Sequence, residues 1–205
     1  MPRHLIVLTA TLLLAACQSA APIRYYTLLP PTSADAAPAQ DPAWQIVVDP
    51  VAVPAQVDTP YIVVREGRNA LVPVDGQRWA APLAEEVRAA IIDGIAGEVG
   101  ASTINSAAAD SRLPVYRLRV SLRRFDSVLG SQALIDAGWS IESTRDAKRN
   151  ASCDSQVAVS IAAGFPALAD GHQRALAELA RRIASGLEAL HAGRAASVCV
   201  AANKG

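Results

Sequence analysis

Histidine, cysteine and aromatic residues are all scarce in this chain of 205 residues, which has three His, three Cys, two Phe, three Trp and four Tyr. With so few imidazoles, little acid–base chemistry near neutral pH is on offer. No Gly-x-Ser-x-Gly elbow precedes a helix, and no glycine-rich phosphate loop occurs, so neither a hydrolase nucleophile nor a nucleotide cradle is signalled. The chain reads as a non-enzyme without cofactor or metal. Surplus charge is also missing: 19 basic residues face 19 acidic ones. Nucleic-acid binding relies on many phosphate-neutralising cations, so no nucleic acid is expected as a partner. Past the N-terminus, no apolar run approaches the roughly 20 residues that a membrane-spanning helix needs.

What is present begins at the N-terminus. Arg3 and His4 precede twelve mostly apolar residues from Leu5 to Ala16, ending in Leu14-Ala15-Ala16-Cys17. A charged start, a short apolar middle and small residues at the end are the layout of a secretory signal, here residues 1–16. The small-small-Cys ending resembles a bacterial lipobox. That resemblance implies acylation of Cys17 and cleavage just before it. Each buried CH2 of an acyl chain contributes about 0.8 kcal/mol, so two or three chains anchor durably. Gln18 stands where an aspartate would favour inner-membrane retention, and the implied location is the periplasmic side of the outer membrane. Removing the first 16 of 205 residues leaves 189, with 18 basic and 19 acidic residues because only Arg3 is lost. That length suits a single domain, placed at 25–205 behind a tether at 17–24.

Two cysteines then remain, Cys153 and Cys199. In an oxidising compartment an even pair reads as a disulfide. It would close a loop of 47 residues, which the chain-entropy model rates at about 4 kcal/mol. The alternatives are two separate buried thiols, or a zinc site with His172 and His191, whose spacing matches no compact ligand pattern.

Tyr25–Leu29 is a β-prone stretch that Pro30-Pro31 stops, and 32–43 reads as a flexible loop. An apolar strand is expected from Trp44 to Val53, ended by Pro54. Two short strands, Tyr61–Val64 and Ala70–Val72, flank a turn at Gly67-Arg68-Asn69. A helix should start near Trp79 or Ala80, with Pro82 in its first turn. Its apolar stripe is Leu83, Val87, Ile91, Ile95 and Val99, and Gly100 is its stop. Three alternating strands follow, around 116–125, 133–142 and 156–163, with a bulge near Arg123-Arg124. A last helix, about Ala167–Ala192 with Asp170 as cap, buries Leu176, Leu179, Ile183, Leu187 and Leu190 and leaves both histidines on its polar side or edge. Arg174–Glu178 and Glu178–Arg182 form i,i+4 pairs. The pattern is α+β: a mainly antiparallel sheet packed against two amphipathic helices.

Arg117, Arg119, Arg123 and Arg124 form a basic stripe on the outward face of the first long strand. Either Asp136 and Glu142 balance it across the ladder, or it is an interface for an acidic surface or lipid headgroups. Trp79 reads as a hydrophobic anchor at the loop-to-helix entry, or, where exposed, as the mark of an interface.

The lipobox, Tyr25-Tyr26-Thr27-Leu28-x-Pro30, Val51-x-Val53-Pro54, Arg78-Trp79-Ala80-x-Pro82-Leu83 and the Gly138-Trp139 strand resemble, taken together, the PqiC/YmbA-type ABC-type transport auxiliary lipoproteins. The resemblance covers essentially the whole mature chain; the Cys153–Cys199 pair departs from it. It implies an outer-membrane subunit of an MCE-protein system that moves phospholipids or similar molecules across the periplasm. The implied partners are a tunnel-forming MCE-domain protein and its inner-membrane subunits, with a homo-oligomer matching the tunnel's symmetry. Tyr25, Tyr26, Pro54, Trp79, Pro82, Leu83 and Trp139 would then be fold-defining. Two other classes stand beside this one. A regulator of a periplasmic cell-wall enzyme would favour a long free tether, and a lipid hydrolase would turn over an ester through one serine.

Overall fold

The architecture follows from where the chain alternates and where it repeats every three to four residues. The computed structural model describes residues 22–31, 44–99, 102–103, 112–146, 149–194 and 199. The signal segment, Cys17, the first part of the tether, the 32–43 loop and Gly100 lie outside the described residues.

The elements in order are β1 (Arg24–Tyr26), β2 (Gln45–Val48), β3 (Tyr61–Glu66), β4 (Ala70–Trp79), α1 (Leu83–Val99), β5 (Ser102–Thr103), β6 (Val115–Val128), β7 (Gln132–Ser143), β8 (Asn150–Ser160) and α2 (Phe165–His191). The fold is α+β. The strands divide into two sheets, ordered β1-β4-β3 and β5-β2-β6-β7-β8, where the sequence led us to expect one. In the larger sheet β6, β7 and β8 are the expected antiparallel meander. β2 joins its edge in parallel through Gln45↔Val115 to Val48↔Leu118.

Several boundaries differ from expectation for identifiable reasons. The Trp44–Val53 run ends as a strand at Val48, and Ala52 makes only an isolated parallel bridge to Ser121. β4 continues past Val72 to Trp79 because β1 and β3 pair on its two sides, outweighing the disfavour for Pro73 in a ladder. Consequently α1 begins at Leu83, with the Pro82 carbonyl accepting the Glu85 and Glu86 amides. β8 starts at Asn150, six residues before the expected 156. The last helix is preceded by Gly164 and has no side-chain cap; Asp170 lies inside it and pairs with Arg174 at 3.0 Å. That leaves Glu178 to Arg182 and Arg181 rather than to Arg174. The β6 bulge falls between Leu122 and Arg124, as the break in alternation implied.

The core lies between the helices and the inner face of the larger sheet. Leu83, Val87, Ile91 and Ile95 of α1 and Leu176, Leu179, Ile183, Leu187 and Leu190 of α2 are buried against Tyr116, Leu118, Ile135, Trp139 and Ile141. Each such aliphatic side chain contributes about 1.5–3 kcal/mol through burial. Two glycines set how closely α2 approaches its neighbours. A Cβ on Gly171 would lie 2.2 Å from the Ile161 Cγ2 atom, and one on Gly94 would lie 2.6 Å from the Ala180 Cβ of the facing helix. The Cys153–Cys199 disulfide is formed, with a Cα–Cα distance of 5.4 Å, and ties the chain beyond α2 to β8. Because the two sulfurs bond each other, the thiolates that the zinc alternative requires do not exist.

Candidate functional site

The N-terminal segment is held to the body by three elements that lie far from it in sequence. β1 pairs in parallel with the end of β4, Arg24↔Gln77 to Tyr26↔Trp79. The Tyr26 hydroxyl donates to Gln77 Oε1 at 2.8 Å, its carbonyl accepts the Ala80 amide at 2.7 Å, and its ring tilts against Phe165. Leu28 is fully buried. Beside it, Glu86 accepts the Leu28 amide at 2.7 Å and the Thr27 hydroxyl at 2.8 Å. From α2, Gln173 donates to the Thr27 and Leu29 carbonyls at 3.0 and 3.2 Å. Glu86 sits in the first turn of α1, where the exposed amides favour an acid. Sequence reasoning missed both Glu86 and Gln173. The available signal was an acid on the stripe between Leu83 and Ala90, where a surface helix normally carries an apolar residue.

The arginine stripe forms a ladder of ion pairs on the outer face of the larger sheet. Arg117 meets Asp49 at 2.7 Å, and Arg119 spans Asp49 at 3.3 Å and Glu142 at 2.6 Å. Arg123 binds Asp136 and Asp154, while Arg124 binds Asp126. The expected Asp136 and Glu142 partners are therefore joined by Asp49, Asp126 and Asp154. Hydrogen bonding raises two of these guanidiniums above their ordinary range, Arg119 chiefly through Glu142 and Arg123 chiefly through Asp136. Ser121 and Gly138 face each other in the ladder between Arg119 and Arg123. The short Ser121 side chain and the bare Gly138 backbone leave a shallow groove of about 610 Å³, bordered by Asp49, Arg119 and Asp154. At the end of the stripe Asp126 also receives Arg65 from β3 at 2.7 Å, which ties the two sheets together. Burial pushes the Asp126 carboxyl up, but the hydrogen bonds from Arg65 and Arg124 outweigh it and hold the group below the usual range.

Of the remaining motif positions, Trp79 and Trp139 are buried, whereas Tyr25 is not. Trp79 ends β4 rather than opening α1, and its ring meets Phe125 and His172 edge-on at 6.0 and 6.3 Å. Trp139 is buried and donates to Ser155 Oγ at 3.0 Å. The Pro54 carbonyl accepts the Val57 and Asp58 amides, forming the turn after β2. Tyr25 is exposed.

The histidines require a correction. His172 is not on a polar face. It is 0% exposed, stacked on Phe125 at 3.9 Å, with Nε2 2.9 Å from Ser127 Oγ. His191 is half-buried between Trp44 and Tyr116, and its Nδ1 lies 3.1 Å from the Tyr116 hydroxyl. The i,i+4 pattern of α2 placed both correctly along the helix, but the outer flank of its stripe is covered by Trp79 and by Trp44. Burial lowers the His172 pKa to about 3, against a small opposing pull from Asp126. Between pH 6.5 and 3 the unfolded chain therefore carries a proton at this site that the folded chain refuses. The stability this provides is complete above pH 6.5 and falls with pH by up to about 1.4 kcal/mol per unit. Urea unfolding at pH 7 and pH 4.5 should show a His172→Gln variant losing less stability on acidification than the parent. Parallel losses would assign the acid sensitivity to carboxylates alone.

No helix among the described residues is long and apolar enough to cross a membrane. A family model for the ABC-type transport auxiliary lipoprotein component matches residues 26–184. A crystal structure of an uncharacterised protein aligns over 82% of this chain and 99% of its own, at 15% identity and a TM-score of 0.64. Another, of a Xanthomonas campestris protein of the DUF330 family, aligns over 84% and 98%, at 22% identity and a TM-score of 0.63. At these identities the likeness is one of fold. No curated protein matches the chain by sequence.

Proposed function

Since the chain belongs to the ABC-type transport auxiliary lipoprotein family, and is thus a membrane-anchored envelope component of a transport system, we propose that it is the non-catalytic outer-membrane subunit of an MCE-type intermembrane lipid transporter. It receives the end of a periplasmic tunnel protein at the membrane. One observation supports this most directly: β1 is docked. Arg24, the first residue of β1, follows the lipidation candidate Cys17 by only seven residue steps. At about 3.3–3.6 Å per residue they reach no more than about 25 Å. The folded domain is therefore kept against the membrane, where a tunnel would have to end. A regulator that reaches a cell-wall enzyme would need the long free tether that docking removes. The disulfide suits an oxidising envelope compartment.

The contact candidates are Arg119 and Arg123 beside the open groove. Exposed ion pairs contribute only about 0.2–1 kcal/mol each, so a partner's carboxylates can compete for them. The test is a crosslinked pull-down of the full-length lipidated protein from membranes, read by mass spectrometry. We expect an MCE-domain protein with its inner-membrane subunits, and loss of that recovery in an Arg119→Glu/Arg123→Glu variant. Recovery of a cell-wall synthase instead would sink the transport reading and promote the regulator.

A further inference from the structure

The two residues preceding the buried Leu28 anchor on the outward side, Ile23 and Tyr25, are among the few large apolar side chains left exposed in the described residues, at 48% and 61%. Tyr25 belongs to a row that crosses the smaller sheet, and Ile23 precedes it by two residues, the spacing that returns an extended chain to the same side. Tyr25 stands opposite Arg78, and Arg78 stands opposite Tyr61. The three side chains thus share one face, and the Arg78 guanidinium lies over the Tyr61 ring, 5.0 Å from its centroid. The next residue of β4, Trp79, points the other way into the core. Arg78 makes no ion pair among the described residues, and its Nε is buried without a hydrogen-bond partner. That sets it apart from the four arginines of the larger sheet, each of which meets a carboxylate.

We propose that this face, Ile23, Tyr25, Arg78 and Tyr61, rests in the headgroup layer of the phospholipid bilayer that holds the chain. The proposal builds on the reading of Cys17 as the acylated residue. Ile23 follows Cys17 by six residues, so the covalent path holds it within about 20 Å of the lipid attachment, whichever way the domain turns. Tyrosine concentrates at membrane–water boundaries because its ring is apolar and its hydroxyl is wet. A planar guanidinium pairs with phosphate oxygens, and here it has no carboxylate to give up first. An apolar edge, two tyrosines and one uncommitted cation form a surface suited to phosphodiester headgroups. The occupant is therefore the bilayer, and the domain sits with its smaller sheet toward the membrane.

The test uses the full-length lipidated chain in vesicles of phosphatidylethanolamine and phosphatidylglycerol. A photo-crosslinking amino acid is placed at position 25, at 61, or at 154 on the outer face of the larger sheet. Mass spectrometry reads both the adducts and the acylation of Cys17. Roughly tenfold more lipid adduct at 25 and 61 than at 154 is expected, with capture at 25 falling in an Arg78→Glu background. Acylated protein that captures no more lipid at 25 than at 154 would overturn the orientation and leave the anchor intact. Adducts at 25 to a second copy of the chain would overturn it in favour of self-association. A Cys17 without acyl chains would overturn the anchoring reading and this proposal with it.

Discussion

Replacing Trp79 by alanine is expected to remove about 3–5 kcal/mol of stability, the range for deleting a large buried aromatic whose surroundings cannot collapse. The side chain is buried against Phe125 and His172, which are themselves stacked and cannot both move into the space. Domains have only about 5–15 kcal/mol of stability in total. The variant should therefore shift the urea midpoint strongly at unchanged slope. The loss should also loosen the N-terminus, because Tyr26 pairs with Trp79 in the β1–β4 ladder. Limited proteolysis should then cut between residues 24 and 29 in the variant while sparing the parent. A loss below about 1 kcal/mol would mean that Trp79 fills no irreplaceable space.

Reduction of Cys153–Cys199 should have a similar effect by another route. The sequence separation of 46 makes the constraint on the unfolded chain worth about 4 kcal/mol in the chain-entropy model. For a domain of this size 1 kcal/mol corresponds to about 2–4 °C, so the midpoint should fall by roughly 8–16 °C. The closed loop contains all 27 residues of α2. Loss of the bridge should therefore raise hydrogen exchange most in the last turns of that helix. Parent and Cys153→Ser/Cys199→Ser proteins melted with and without reductant provide the comparison. A reducible parent with an unmoved midpoint would show that the bridge constrains nothing beyond the tail.

Legibility in the sequence followed the range of the interactions involved. The helix stripes, the β6–β8 meander and the bulge at Arg123 were readable because each depends on neighbours within one element. The extension of β4 to Trp79 was not, since its partners come from residues 24–26 and 61–66. The division into two sheets was hidden for the same reason. His172 was misplaced because helical periodicity marks a stripe but not the width of what covers it; Phe125 and Trp79 reach past its edge. The arginine stripe was visible, and two of its carboxylates were named correctly. Asp49 and Asp154 come from elements whose register no local pattern fixes. The clamp made by Glu86 and Gln173 was invisible because its target is backbone far away in the chain.

That clamp also sets an order of events. The amide of Leu28 is bound by a carboxylate 58 positions later, and the carbonyl of Thr27 by an amide 146 positions later. Neither contact can form until α1 and α2 have taken their places, since the closure entropy of such long loops is lost before any bond repays it. The first stretch of the domain in sequence is thus the last to be fixed. Docking of residues 27–29 therefore reports on the helices rather than on the strand itself: a free N-terminal segment marks a body whose α1 and α2 are not yet in place.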